Sequence, residues 1–558
     1  MRLGLLLTLP VANAFECSRA AFQGILPTNI SASVAYATTV PENSTFQVPE
    51  SNIAFPTSPV LLRRVCAVQI NITSSASSAY SLGLFLPDED EWNERLLAVG
   101  GGGYAGGIDF VSMVCPSFNN GNGYKLRTKA AGVCYGFAVA ATDTGHNSTL
   151  EDGSWALDKE KLTDWSYRAM HGSVVLAKLI LSAYYESSSL SFSYFSGCAT
   201  GGRQGLKEIE MYPDDFDGVL VGDPAWWSSH LQPWTVKVGL NNLPTTAPHH
   251  IPPELFPVIG VEVVRQCDPQ DGLVDGIVSD PAGCQFIPEA LMCGSNVSFT
   301  SHSNASCLTG PQIETLYKIY GPYYETNQTF IFPGLLPGSE NQWTNILGQA
   351  TPNTIGTDYI RYFLFDDPSW NVYTYNFSVV HAADEAQPGN SSITNFDFAP
   401  FYRRGGKLIH YHGLADGLIP PESSDYFFRQ LLKTLVPKGI TVDSFYRLFH
   451  VPGMEHCTGT SSNAPWYFGG AIQANTLGVR PGTVSGTPGF PDAEHDVLLA
   501  LMRWTEEGRA PERVVATKWR SDTLLDEVWR QRPICPYPKR ARYCGYGDPD
   551  DADSWECL

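Results

Sequence analysis

The feature that most constrains this chain is a recurring unit, a short apolar run that breaks into a glycine-rich or polar loop. Leu96 to Val99 runs into GGGGYAGG, Phe137 to Ala140 into ATDTGHN, and Val219 to Val221 into GDPAWW. Ser191 to Phe195 precedes SGCATGG. Late in the chain KLIHY (407–411) precedes HGLADGLIPP, and FYRLF (445–449) precedes HVPGMEHC. Runs this short and this uniformly apolar suit strands buried on both faces, as in parallel sheets covered by helices. A covering helix is predicted between Asp158 and Tyr184. There Leu162, Trp165, Ala169 and Met170, then Val174, Ala177 and Leu181, recur at helical spacing. The fold class expected is α/β, with a doubly wound sheet.

From about Trp227 to Ala399 the texture changes to proline, cysteine, asparagine and aromatic residues. An insertion between two groups of strands would sit over their carboxyl ends, where such sheets bind ligands. The expected division is a core of residues 15–226 and 400–558 with a lid domain at 227–399. Residues 1–14, MRLGLLLTLPVANA, resemble a short secretory signal cleaved after Ala14. Thirteen cysteines fit an oxidising compartment. So do nine N-glycosylation sequons, at Asn29, Asn43, Asn71, Asn147, Asn296, Asn304, Asn327, Asn376 and Asn390. A secreted, extracellular glycoprotein carrying N-glycans is expected. The net charge, 36 − 57 = −21, argues against nucleic acid and anionic membranes as partners. No run after the leader reaches the roughly 20 apolar residues of a membrane span.

Residues 197–201, GCATG, have the Gly-x-Ser-x-Gly spacing of a hydrolase nucleophile turn, with Ala199 at the centre. Asp416 follows the 407–411 run and His456 follows the 445–449 run. Nucleophile position, acid and histidine, each on a loop after a strand, is the α/β-hydrolase order. Cys198 precedes the nucleophile position and Cys457 follows the histidine. A bridge between them, with Cα atoms about 5.5–6 Å apart, would hold the imidazole beside residue 199.

GCATGGRQG, Asp416 and the His456-Cys457 pair closely resemble the fungal tannase and feruloyl esterase family, as do TDTGH (142–146), DWSYRAMH (164–171) and the cysteine-containing tail. That family has a Cys-Ser pair, an aspartate and a His-Cys pair in this order. The departure is Ala199, where the family has serine. The resemblance implies a secreted serine esterase acting on small phenolic esters. In it Asp416 orients His456, His456 acts as general base and then acid, and the N–H groups of Thr200 and of Gly102 or Gly103 in the Gly100–Gly103 loop form the oxyanion hole. With alanine at 199 the chain should be nearly inactive, either through a single Ser→Ala change or as a non-catalytic pseudoenzyme that binds phenolic esters.

The run CDPQDGLVDGIVSDPAGC (267–284) crowds Asp268, Asp271 and Asp275 into one turn between Cys267 and Cys284. Carboxylates so close repel unless a hard cation neutralises them, which points to a structural Ca²⁺; an acidic solvated loop is the alternative. The resemblance adds the carbonyls of Leu273 and Ile277 as ligands. Pairs 17–66, 115–134, 293–307 and 535–557 are suggested for the other cysteines, the last by the family's tail spacing, which leaves Cys544 unpaired. Connectivity is not fixed by spacing alone. The aromatic segments PAWWSSHLQPW (224–234) and NAPWYFGG (463–470) look more like the tannase branch, so a galloyl ester is the expected substrate and a feruloyl ester the alternative. These rings either stack on the ligand or pack in the lid core.

Overall fold

Along the apolar runs, alternate residues enter opposite cores. Val219 and Val221 pack with Phe195, Leu408 and Leu448 on one face, while Leu220 packs with Tyr194, Ile409 and Phe449 on the other. A strand wedged between two cores has no polar face to show, which is why these runs lack the alternation of a surface sheet.

The computed structural model describes residues 15–558 except 62, 115–118, 121–123, 126–131, 187–188, 295–306, 478–486 and 526. The expected leader (1–14), Cys115 of the suggested 115–134 pair, Asn296 and Asn304 lie outside the described residues.

The main sheet contains β1 (Ala32–Val40), β2 (Val65–Thr73), β3 (Ala79–Pro87), β4 (Arg95–Val99), β5 (Ala138–Thr142), β6 (Phe192–Cys198), β7 (Gly218–Gly222), β8 (Lys407–Gly413) and β9 (Tyr446–Val451). Their spatial order is β1-β2-β3-β5-β4-β6-β7-β8-β9. From β5 to β9 neighbouring strands are parallel, and β1, β2 and β3 add an antiparallel extension. The six parallel strands are those signalled by the apolar runs. The antiparallel extension was not anticipated; β1 has few fully buried positions, so no continuous apolar run marks it.

Helices cover both faces, as in an α/β-hydrolase. Leu176 and Ile180 of α1 (Ala169–Tyr184) pack on Val68, Leu82 and Ala140. Leu206 and Ile209 of α2 (Thr200–Met211) pack on the Val219 face. Val497, Leu501 and Trp504 of α3 (Val497–Glu507) cover the Leu220 face. The helix predicted over 158–184 is continuous but not uniform, with a wide π-type turn at Asp164–Arg168 before α1.

The chain between β7 and β8 leaves the sheet and folds over its carboxyl edge. Its helices include α4 (Ser228–Asn241), α5 (Phe256–Cys267) and α6 (Gly310–Tyr320). They share a separate core of Trp234, Ile259, Leu316 and Trp343. A further cluster joins Tyr104 and Trp165 of the sheet side to Val236, Tyr359 and Phe363 of this segment. Disulfides with both cysteines among the described residues are 17–66, 198–457, 267–284, 293–307 and 535–557, and Cys544 is a free thiol. No described helix is long and apolar enough to cross a membrane.

Candidate active site

Strand β6 ends at Cys198 and α2 begins at Thr200, so residue 199 alone makes the turn. Ala199 has φ 56° and ψ −116°, a conformation that residues with a Cβ avoid and that costs about 1–3 kcal/mol. Three backbone hydrogen bonds hold it there. Its N–H donates to the Gly222 carbonyl, and its own carbonyl accepts from the N–H groups of Arg203 and Ala225, each at 3.0 Å. The flanking glycines are required by close approach. A Cβ on Gly197 would lie 2.7 Å from the Gly201 backbone, and one on Gly202 would lie 2.7 Å from the Gly222 carbonyl oxygen. At Gly201, the second glycine of the spacing read in the sequence, a Cβ would lie 3.0 Å from the Gly101 carbonyl oxygen, so the spacing follows the tight packing of a sharp strand-to-helix elbow.

Two loops from β8 and β9 deliver the other side chains. Asp416 is wholly buried, and its Oδ1 accepts from the N–H groups of Leu418 (2.8 Å) and Ile419 (2.9 Å). Its Oδ2 lies 2.7 Å from His456 Nδ1 and 3.2 Å from Nε2 of the buried His412. Burial alone would raise the Asp416 pKa. The two imidazoles outweigh it and hold the carboxyl well below the usual carboxylate range. For His456 burial works downward, but Asp416, then Asp223, turn the balance, so the imidazole binds its proton more tightly than an ordinary histidine. The Cys198–Cys457 bridge, with Cα atoms 6.0 Å apart, ties the base loop to the elbow.

Two residues without an assigned role in the sequence reading also shape these loops. Oε1 of Gln342, from the segment above the sheet, accepts from the N–H of Gly417 (3.0 Å) and of His456 (3.2 Å), joining acid loop to base loop. Asp223, in the quoted GDPAWW, is buried beside Asp416 and His456, each offering an atom within 4.8 Å of the others. Neither a lone glutamine nor a lone aspartate in a loop carries a periodicity that could have revealed it.

The elbow opens into a cavity of about 750 Å³, lined by Ala199, Thr200, His456, the 100–103 glycines and the Ser228, Leu231 and Gln232 face of α4. Mixed walls, apolar side chains such as Leu231 and Ile346 beside polar ones such as Ser228 and Gln232, and an imidazole-carboxylate pair at one end suit chemistry on a small ligand with apolar and polar parts.

The family model described as "Tannase and feruloyl esterase" matches residues 66–558. The chain belongs to this family. A probable feruloyl esterase B-1 from Aspergillus oryzae is 34% identical, over 88% of this chain and 84% of its own length. A probable feruloyl esterase B-2 from Aspergillus terreus is 33% identical, over 88% and 86%. Among solved structures, feruloyl esterase B from Aspergillus oryzae superposes with a TM-score of 0.82 at 32% identity, covering 97% of this chain and 99% of that one. Tannin acyl hydrolase from Aspergillus niger shares the fold, with a TM-score of 0.69 at 21% identity over 98% and 96%. This is a family of carboxylic ester hydrolases of small phenolic esters.

The glycine loop after β4 leaves backbone donors unspent at its tip. Gly101 N–H donates to Gln204 Oε1 (3.2 Å), whereas no bond among the described residues uses the N–H of Gly102 or Gly103. Gly103 has φ 52°, and a Cβ there would lie 2.4 Å from the Leu150 carbonyl oxygen, so glycine is needed for the loop to pass. Thr200 N–H, at the first turn of α2, is likewise unspent within the helix.

Of the two placements open for the aromatic segments, the structure takes core packing. Trp226, Trp234, Trp466, Tyr467 and Phe468 are buried in the cores, and none lines the cavity. Helix α4 turns Ser228, Leu231, Gln232 and Thr235 to the ligand space and keeps Trp234 behind them. The aromatic side chains that do reach the cavity are Phe55, Tyr104 and Trp165.

In the acidic loop, Asp268 is buried and its carboxylate accepts from the N–H groups of Asp275 (3.1 Å), Gly276 (3.0 Å) and Ile277 (3.3 Å). Asp271 Oδ1 accepts from Leu273 N–H at 2.9 Å, and Asp275 pairs with Arg532. The Cys267–Cys284 bridge closes the loop, and among the described residues these three carboxylates are not one of the clusters whose ligand atoms converge within 4.8 Å.

Proposed function

We propose that this chain is a secreted ester hydrolase scaffold for phenolic esters, hydroxycinnamate esters first, whose serine nucleophile is replaced by Ala199. The observation that carries the reading is the elbow itself. An alanine is held at φ 56° beside an assembled Asp416–His456 pair, although a methyl group gains nothing from that strain. Strain of this kind persists where the surrounding structure over-determines it, and a nucleophile turn is such a place.

With serine at 199, His456 takes the hydroxyl proton as Oγ attacks the ester carbonyl. The N–H groups of Thr200 and of Gly102 or Gly103 donate hydrogen bonds to the developing oxyanion. His456 then protonates the departing alcohol, and water releases the acid by the same steps. Asp416 keeps Nδ1 protonated so that Nε2 faces the reaction. With alanine there is no oxygen to acylate, so the chain binds its ester and does not turn it over.

The hydroxycinnamate assignment rests on the feruloyl esterase B relatives at 32–34% identity. Galloyl esters are the second reading; its motive was the tryptophan-rich segments, which pack in the cores. In the Ala199→Ser enzyme, methyl ferulate should be hydrolysed at least about tenfold faster than propyl gallate by kcat/KM. A preference for the gallate would reverse the assignment. Residues 227–399 are proposed as the lid. Export and N-glycosylation are supported by the leader-like start, the disulfides and the partly or fully exposed Asn29, Asn43, Asn71, Asn147, Asn327, Asn376 and Asn390.

Asp268, Asp271 and Asp275, with the carbonyls of Leu273 and Ile277, would hold Ca²⁺, a structural ion that neutralises the acidic loop. Dialysed protein should retain one calcium per chain, and chelation should lower Tm by several degrees through loss of the bound-state stabilisation. Calcium-free protein with a chelator-independent Tm would remove the ion from the account.

A further inference from the structure

We propose that Asp223 is a positioning residue for the base: its one carboxylate holds the His456–Cys457 loop against the acid loop and sets a second acidic group beside the His456 imidazole. This rests on the reading of His456 as general base.

Asp223 follows β7 directly, one strand away from the elbow strand β6 and next to β8. Its backbone is in the left-handed region at φ 37°, and its N–H donates to the Tyr411 carbonyl of β8 at 2.9 Å. That anchoring aims the side chain across the carboxyl ends of the strands. Oδ1 accepts from Gly413 N–H at 2.8 Å, where the acid loop begins. Oδ2 accepts from Cys457 N–H at 3.2 Å, one residue beyond His456. A single carboxylate thus holds the main chains of both loops, and the disulfide to Cys198 fixes the same point from the elbow side.

The side chain is also an electrostatic neighbour. The titratable groups facing it are His412, with Nε2 at 3.5 Å from Oδ1, Asp416, His456 and the Tyr411 hydroxyl. His412 lies between the two carboxylates, its Nε2 at 3.5 Å from Asp223 and 3.2 Å from Asp416, with the Ile419 carbonyl nearer at 2.9 Å. Burial pushes the Asp223 pKa up to about 6, with Asp416 adding to the rise and the histidines opposing it. Above that pH the site contains two negative carboxylates around His456, where a triad alone would have one. Charges this close inside a protein shift a pKa by one unit or more.

The test needs no turnover. In the Ala199 chain, ¹⁵N-labelled histidine resonances report the His456 midpoint directly. Asp223→Asn keeps the shape, removes the charge and should lower that midpoint by about one pH unit. In the Ala199→Ser background the same substitution should lower kcat and move the acid limb of kcat/KM to lower pH; a purely structural role would lower kcat and leave the limb in place. An unchanged His456 midpoint in folded Asp223→Asn overturns the proposal. If that variant does not fold, the unsubstituted chain still decides. The His456 ring should then titrate in two steps, one from its own proton and one from Asp223, and a single step overturns it. A lowered midpoint in a chain that stays inactive with serine at 199 would support the Asp223 role while sinking the esterase reading, so the two claims fail separately.

Discussion

Ala199→Ser should convert a nearly inert chain into a working esterase in one step, with a gain in kcat/KM on methyl ferulate of about 10⁴- to 10⁶-fold. Removing a triad serine costs on the order of 10⁶-fold in kcat, equivalent to about 8 kcal/mol of barrier. The gain should approach that figure because nothing else needs to be built. The elbow conformation is fixed by main-chain bonds to Gly222, Arg203 and Ala225, none of which involves the side chain. Asp416 and His456 are paired without help from residue 199. The new oxygen enters a cavity already open at that point. The rate should rise with pH as His456 loses its proton, and its acid limb should lie above the ordinary histidine value of 6.5, because Asp416 and Asp223 raise the imidazole pKa. Steady-state kinetics of both forms across pH check each part.

Asp416→Asn in the Ala199→Ser background should lower kcat by about 10⁴-fold, the size seen when a triad aspartate becomes an amide. The carboxylate accepts from His456 Nδ1, two backbone N–H groups and His412. An amide in its place presents an N–H to at least one of these donors. It can favour the wrong imidazole tautomer, and it no longer stabilises the imidazolium formed during attack. KM should change much less than kcat, since Asp416 is wholly buried and does not reach the cavity. A loss confined to KM would place Asp416 in ligand binding and outside the acid-base pair.

How much of this was readable beforehand depends on the kind of force involved. The parallel strands were legible because burial on both faces leaves an unbroken apolar signature, as in Val219–Val221 between its two cores. The elbow was legible because close backbone approach, 2.7 Å for a Cβ at Gly197 and 3.0 Å for one at Gly201, favours glycine at both ends of the five-residue spacing. The pairing of Cys198 with Cys457 was legible because each adjoins a functional position. The antiparallel strands were not: β1 has mixed burial, and β2 and β3, though mostly buried, run into TSSASS and DEDEW and not into the glycine loops that mark the parallel strands. The tryptophans of 224–234 stayed open between ligand and core for a related reason. A helix with aromatic residues on one face and Ser228, Leu231 and Gln232 on another reads the same whichever face meets the ligand, and only the packing of Trp234 against Phe332 decides it. Charge misleads in the same way: α2 carries Arg203, Lys207 and Glu208, yet all three are buried. Asp223 was hidden because its effect comes from strand order, which no local pattern encodes.

The most direct measurement is active-site labelling. The Ala199 chain, Ala199→Ser, and Ala199→Ser combined with His456→Ala are treated with a serine-reactive fluorophosphonate, and adducts are located by peptide mass spectrometry. The account predicts one stoichiometric adduct on residue 199 of Ala199→Ser, labelling slowed at least about 100-fold without His456, and no adduct on the Ala199 chain. An Ala199→Ser protein that folds yet stays unlabelled and inactive, or an Ala199 chain that labels and hydrolyses through another serine, would contradict it.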